Sequence, residues 1–310
     1  MKFELKKYNN SYKTDWNSFI STSKNGLFFF DRDFMEYHSD RFTDHSLLIF
    51  NDQQIVAVFP ANESGEEIIS HGGLTFGSLI MSHYLKAKEV LVILDEIKKY
   101  FTELSFKKIT YKAIPHIFHK YPAEEDLYAL FRIEAKLFRR DISSVIDLSH
   151  PIRFSETKRQ LVRKCEQKGI SVSESENFTE YWTLLSEVLQ KFGTKPVHTV
   201  EEITLLKEKF PQNIQLFEAK KDGIIFAGIV IFNFDNVIHT QYMAASQEGR
   251  KVGALDFINY TLLNKFSNKK YYSFGISTEQ QGKFLNEGLI QQKENMGARG
   301  IALDFYSIKL

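Results

Sequence analysis

The stretch NVIHTQYMAAS (236–246) places one histidine and one tyrosine in a strand-like run. A histidine with an ordinary pKa of about 6.5 accepts a proton near neutrality, so His239 is the leading candidate for a general base. Strand alternation puts Val237, His239, Gln241 and Met243 on one face and Ile238, Thr240, Tyr242 and Ala244 on the other. His239 therefore acts if its face looks into a cleft, and Tyr242 is the alternative if the opposite face does. A histidine satisfied by hydrogen bonds in a core is the competing reading.

Three further segments carry chemistry-bearing residues. GTKPVHT (193–199) holds Lys195 and His198 around the stiffening Pro196, a loop suited to presenting a cation and an imidazole to an anionic ligand. SHGGLTFGS (70–78) sets His71 beside Gly72 and Gly73, where a strand breaks into a tight bend or a close ligand approach. SETKRQLVRKCEQKG (155–169) reads as a basic helix with 159/163 and 164/168 at i, i+4 spacing, either a solvated face or a docking surface for phosphate. Cys165 within it has no neighbouring motif that marks a nucleophile. The nine histidines show no paired Cys/His ligand spacing, and no metal is expected.

These segments need a scaffold, and the pattern supplies one. At 310 residues, with 43% hydrophobic residues and a net charge of +1, the chain buries a sizeable core and projects no global field towards nucleic acid or membrane. The N-terminal sequence lacks a signal-peptide pattern, no apolar run is long enough to span a bilayer, and the lone cysteine fits a reducing compartment. A cytoplasmic protein is expected. Strand and helix periodicities recur in one order in both halves, strand–helix–helix–strand–strand–strand–helix–strand–helix–strand. That order predicts an α/β (mixed α+β) fold of two similar domains, each a mixed sheet flanked by helices. The break is expected near DLSHPIRF, giving domains 1–149 and 150–310. FFFDRDFMEYHSDRF reads as a helix, QEGRKVGA (247–254) as a loop, and EQQGKFLNEGLIQQKENMG (279–297) as a helix.

The repeated order resembles the GNAT acyltransferases, and its duplication resembles their FemABX-like branch. KPVHT (195–199), YYSFGISTEQQGKFLNEGLIQQKENMGAR (271–299) and the basic helix resemble a FemABX-type C-terminal half. SHGGLTFGS and the segment 121–148 resemble bacterial surface-polysaccharide relatives. The resemblance implies acyl transfer to an amine, from acyl-CoA to an amino sugar linked to a nucleotide or lipid. The alternatives are an aminoacyl-tRNA-dependent ligase acting on a peptidoglycan precursor and a non-catalytic binding protein on a degenerate fold.

The resemblance also assigns roles. The donor's pyrophosphate is expected on SQEGRKVGALDF, at Gln247, Gly249, Arg250, Lys251, Val252, Gly253 and Ala254, although Leu255 stands where a small residue belongs. His71, Gly72, Gly73, Lys195 and His198 are the expected acceptor contacts. Tyr272, Ser273 and Ser277 are expected to line the cleft between the fourth and fifth strands, with the C-terminal domain holding donor and catalysis. Direct attack by the amine, with no acyl-enzyme, completes the expectation.

Overall fold

A computed structural model describes residues 2–310. The chain forms two compact units: Met1–Asp141 with Gln280–Lys283 and Ala302–Leu310, and Ile142–Glu279 with Phe284–Ile301. Residues 142–149 thus pack in the second unit, and the C-terminal 302–310 in the first, a division that differs from a break at 149/150.

In the first unit, strands Glu4–Lys7, Leu47–Asn51, Gln54–Phe59 and Ile80–Met81 form an antiparallel sheet in that order. Asp52 and Gln53 turn its central hairpin with φ of 46° and 71°. A second set of strands, Lys108–Lys112, Glu67–Ile69, Asn62–Ser64 and Thr43–Asp44, lies beside residues 305–309. Helix Ala87–Glu103 buries Val90, Ile93, Leu94, Ile97 and Phe101, the helical-period stripe that its sequence carries. The helix expected over FFFDRDFMEYHSDRF is instead three short turns, Phe28–Phe30, Arg32–Met35 and Glu36–His38. Asp31 breaks the run by accepting the Asp33 N–H at 2.8 Å, an N-cap in the middle of the segment.

The second unit is a six-stranded mixed sheet in the order Ser171–Ser175, Ile214–Lys221, Ile224–Asn233, Val237–Ala245, Tyr271–Ile276 and residues 142–147. Asp222 and Gly223 close its hairpin with φ of 50° and 79°. One face packs Ala227, Ile229, Ile231 and Ile238 against the apolar sides of helices Glu156–Gln167 and Ala254–Lys265. On the other face Gly228 lies beneath the Tyr181 ring of helix Phe178–Gln190, where any Cβ would collide with it.

Two elements near the strand ends differ from expectation. Residues 247–252 form a helix, not a loop, because the Ser246 side chain caps the Gly249 N–H at 3.0 Å. Residues 278–285 form a small hairpin, with the helix confined to Glu287–Glu294. Gln280, Gln281 and Gly282 are all left-handed (φ 51°, 57° and 83°), which no right-handed helix accommodates.

Candidate active site

Strands Val237–Ala245 and Tyr271–Ile276 run parallel and pair over three positions only, Val237 with Tyr271, Ile238 with Tyr272 and His239 with Ser273. Beyond that last rung the pairing stops. Backbone groups of 241–245 on that edge lack ladder partners from Tyr271–Ile276, which leaves a wedge between the strands. His239 Nδ1 sits 3.1 Å from Ser273 Oγ at the apex. Gly275, at φ 71°, holds its backbone close to the imidazole, and a Cβ there would lie 3.4 Å from His239 Cε1.

The same strand carries a β-bulge. On its other neighbour, Ile231 pairs with Thr240 but Val230 pairs with Tyr242, so Gln241 is the extra residue. The bulge breaks alternation: Met243 packs with Ile238 against the core, whereas Tyr242 meets Trp182 and His198. His239, next to Ile238, points away from that core, as Tyr242 does. The two candidates, placed on opposite faces by simple alternation, share one side of the sheet. The bulge is the reason.

Lys293, which the sequence reading did not single out, completes the apex. It is buried on helix Glu287–Glu294, and its Nζ donates to Gly275 O at 3.1 Å, Ile276 O at 2.7 Å and Ser277 Oγ at 3.0 Å. All three ammonium donors are thereby committed, so Lys293 fixes the strand end and acts on the wedge through its charge. Burial pushes its pKa down to about 8. Burial first, then the Lys293 charge, push His239 down to about 4, so the imidazole is neutral at pH 7. The detectable signal was its place in the apolar stripe Ile290–Lys293–Met296, where a lysine needs an interior partner.

Ser273 and Ser277 lie at this apex, with Ser277 Oγ also 3.4 Å from Ser144 Oγ. Tyr272 does not line the wedge: it is fully buried on the opposite face, donating its O–H to Asn259 Oδ1 at 2.8 Å. His198 is buried, with Nδ1 2.6 Å from Tyr242 OH and its carbonyl accepting Trp182 Nε1–H at 3.0 Å. Burial raises the Tyr242 pKa and keeps the phenol protonated. Lys195 is exposed on the rim of a cleft of about 590 Å³ lined also by Trp182, Gln190, Pro196 and His198. His71, Gly72 and Gly73 lie in the first unit. His71 is buried at φ 58°, Gly72 N–H donates to Asn62 Oδ1 at 2.6 Å, and a Cβ on Gly73 would overlap the His38 and Phe42 rings.

The segment expected to hold the donor's pyrophosphate has its glycines explained by packing. A Cβ on Gly249 would overlap the Phe226 carbonyl, and one on Gly253, at φ 81°, would lie 2.6 Å from Leu161 Cβ. Ala254 is fully buried. Lys251 O accepts from Lys164 Nζ at 3.1 Å and Val252 O from the Cys165 thiol at 3.3 Å. Gln247, Arg250 and Lys251 are exposed, beside the Glu248 carboxylate in the first turn. Cys165 itself is buried with its pKa pushed up to about 11, first by that burial, which disfavours the thiolate. Among the described residues, no group of three or more His, Cys, Asp or Glu is gathered as metal ligands, and no helix is long and apolar enough to cross a membrane.

No family model and no curated protein matches the chain by sequence. Solved structures do match it. FemX superposes with a TM-score of 0.70 at 12% identity, over 99% of this chain and 97% of FemX. The chain has the tandem GNAT fold. L-PGS from Bacillus licheniformis gives a TM-score of 0.64 at 12% identity, over 97% of this chain and 92% of that one. A tandem GNAT protein from the clavulanic acid biosynthesis pathway gives 0.53 at 9% identity, over 99% and 98%. At such identities the likeness is one of fold. In this tandem GNAT fold the wedge at His239–Ser273 lies wholly within the second unit.

Proposed function

We propose that the second unit transfers an acyl group from acyl-CoA to the amine of an amino sugar carried by a nucleotide or lipid. The observation that carries the reading is the parting of the parallel strands at His239 and Ser273 beside the Gln241 bulge. The parted edge offers backbone N–H and C=O groups to an extended amide-bearing donor, as an added strand would find them. Its apex holds a neutral imidazole and a fixed ammonium, and a protonated phenol stands further along the strand on the same side. The tandem GNAT relative from the clavulanic acid pathway is described as solved without AcCoA, which lends this donor class further support.

In the reaction, the amine nitrogen bonds to the acyl carbon and the bond from that carbon to the thiolate sulfur breaks. His239 receives the proton that the nitrogen loses. At a pKa of about 4 it is a weak base, suited to the acidic ammonium formed on attack and unable to deprotonate a free alkylammonium to any extent. Tyr242 stays protonated and has a proton to give to the leaving thiolate. The Lys293 charge favours the negative oxygen that develops on the carbonyl. The 590 Å³ cleft reaches this machinery through His198, and Trp182 and Lys195 suit a sugar ring and its phosphate.

An aminoacyl-tRNA donor is the second reading. It is favoured by the segment 247–252, which is closed into a helix by Ser246 and carries Glu248 where a pyrophosphate would lie. The net charge of +1 weighs against it. Thermal shift with acetyl-CoA, longer acyl-CoAs and charged tRNA, each offered separately and followed by acyl-transfer assays on amino sugars, separates the readings. A rise with acyl-CoA supports the first, and a rise with charged tRNA alone replaces it by the second. Silence towards every donor leaves a binding protein on a catalytically empty fold.

A further inference from the structure

A second cleft in the same unit has a different chemistry from the wedge. It has a volume of about 440 Å³, within the range of roughly 300–1,000 Å³ usual for small-molecule sites. Its walls are apolar, with Leu148, Ile152, Phe154, Leu263 and Met296 prominent, and its charged lining residues are two arginines, Arg153 and Arg159. The Arg159 guanidinium meets Glu156 through Nη2, yet its Nε is buried with no hydrogen-bond partner. A buried N–H donor left without an acceptor is unfavourable, so the position favours a ligand that brings an oxygen to it.

The walls are pinned in place without a ligand. Ser155 N–H donates to Asn295 O at 2.8 Å, and Leu148 N–H to Lys270 O at 2.9 Å. Phe154 meets the lining Tyr260 ring edge-to-face at 5.8 Å. Gly297, at φ 91°, lets the Ile152 carbonyl approach so closely that any Cβ would overlap it. The apolar walls are therefore preformed, with Arg153 exposed beside them and Arg159 held by Glu156.

We infer that this cleft binds a single-chain anionic amphiphile, its alkyl or acyl chain along Leu148, Leu263 and Met296 and its phosphate or carboxylate on Arg153 and Arg159. At about 30 Å³ for each water-sized group, the volume holds about fifteen of them, a chain of about ten carbons with its headgroup. The inference rests on the cleft's shape and charge and is independent of the acyl-transfer reading, so either can fail alone.

Isothermal titration of the full chain with decyl phosphate, decanoate, decanol and inorganic phosphate tests it. Saturable binding of decyl phosphate or decanoate is expected, with decanol and inorganic phosphate each at least tenfold weaker. The stronger of the two anions assigns the headgroup as a lipid phosphate or a fatty-acid carboxylate. The double variant R153Q/R159Q should weaken the bound anion at least tenfold while its thermal midpoint stays within a few degrees of the parent. Leu263→Trp should fill the chain's path, and the arginine variant carries the test should the tryptophan variant not fold. No binding of either anion overturns the inference. So does equal binding of decanol, equal binding of inorganic phosphate, or an affinity unmoved in R153Q/R159Q.

Discussion

His239 and Ser273 face each other across the last paired rung of two parallel strands, with Nδ1 and Oγ 3.1 Å apart. The hydrogen bond orients the imidazole where the strands begin to part. Lys293 adds a charge that the ring cannot ignore, because burial weakens screening there. Position, orientation and protonation state at the apex thus come from three different elements.

That coupling is measurable. In Lys293→Met the positive neighbour is gone, so the His239 pKa should rise from about 4 but stay below the usual 6.5, since burial is the larger cause. Histidine titration by NMR reads it directly. Transfer activity of the parent should be level from pH 6 to 8 as far as His239 is concerned, since the ring is already neutral, and should fall towards pH 4. A His239 pKa unmoved in the variant would remove Lys293 from the electrostatics of the site.

Tyr242 and His198 form the second coupled pair, with the phenol oxygen 2.6 Å from Nδ1 and accepting the His198 backbone N–H at 3.3 Å. Tyr242→Phe deprives both nitrogens of that partner in a buried setting, a loss of roughly 1–3 kcal/mol. If the phenol also supplies the leaving-group proton, kcat falls with poor leaving groups and recovers with acidic thiols. A drop in thermal midpoint with equal turnover for all leaving groups would leave Tyr242 a structural role alone.

Gly253 carries a packing demand as well as the donor-site expectation. Its φ of 81° is a left-handed conformation that costs a residue with a Cβ roughly 1–2 kcal/mol. The Cβ would also lie 2.6 Å from Leu161 Cβ. Gly253→Ala should therefore lower unfolding free energy in urea by roughly 1–3 kcal/mol. Gly253→Val should lower it further, and Leu161→Ala should relieve part of the loss in the double variant. Full stability in Gly253→Val, with weakened donor binding, would return this glycine to the donor site.

The contrast between Gly253 and Asp222–Gly223 shows what the sequence makes legible. A tight hairpin turn is a local matter, and Asp-Gly between two apolar runs states it. The helical stripe of Ala87–Glu103 and the order of strands are local too, and the tandem GNAT architecture follows from them. His239 and Ser273 were legible as residue types in adjoining strands. What was not legible depends on distant partners. Close packing by Leu161 and the Phe226 carbonyl demands glycine at 253 and 249. The Gln241 bulge arises from pairing with Ile224–Asn233 and moves Tyr242 to the side of His239. Residues 279–285 carry a helix-compatible pattern, yet three consecutive left-handed residues bend them into a hairpin.

The first unit offers a separate test of buried charge. Asp126 is buried, accepts the Tyr111 hydroxyl at 2.5 Å and the Leu127 N–H at 2.8 Å, and has its pKa pushed up to about 7, chiefly by burial. An unfolded aspartate titrates near 3.9, so the folded state holds its proton more tightly than the unfolded one. The stability this proton contributes is complete below pH 3.9, declines as pH rises, and is lost above pH 7. Asparagine keeps the shape and neutrality of the protonated acid, with an amide NH2 in place of its O–H, and does not titrate. Asp126→Asn should accordingly match the parent near pH 4 and exceed it increasingly up to pH 7. Above that the advantage should level off, at a few kcal/mol or several degrees in thermal midpoint. Thermal unfolding across pH 4–9 reads the difference, and parallel curves for the two proteins would show that Asp126 is ionised in the folded state at neutral pH.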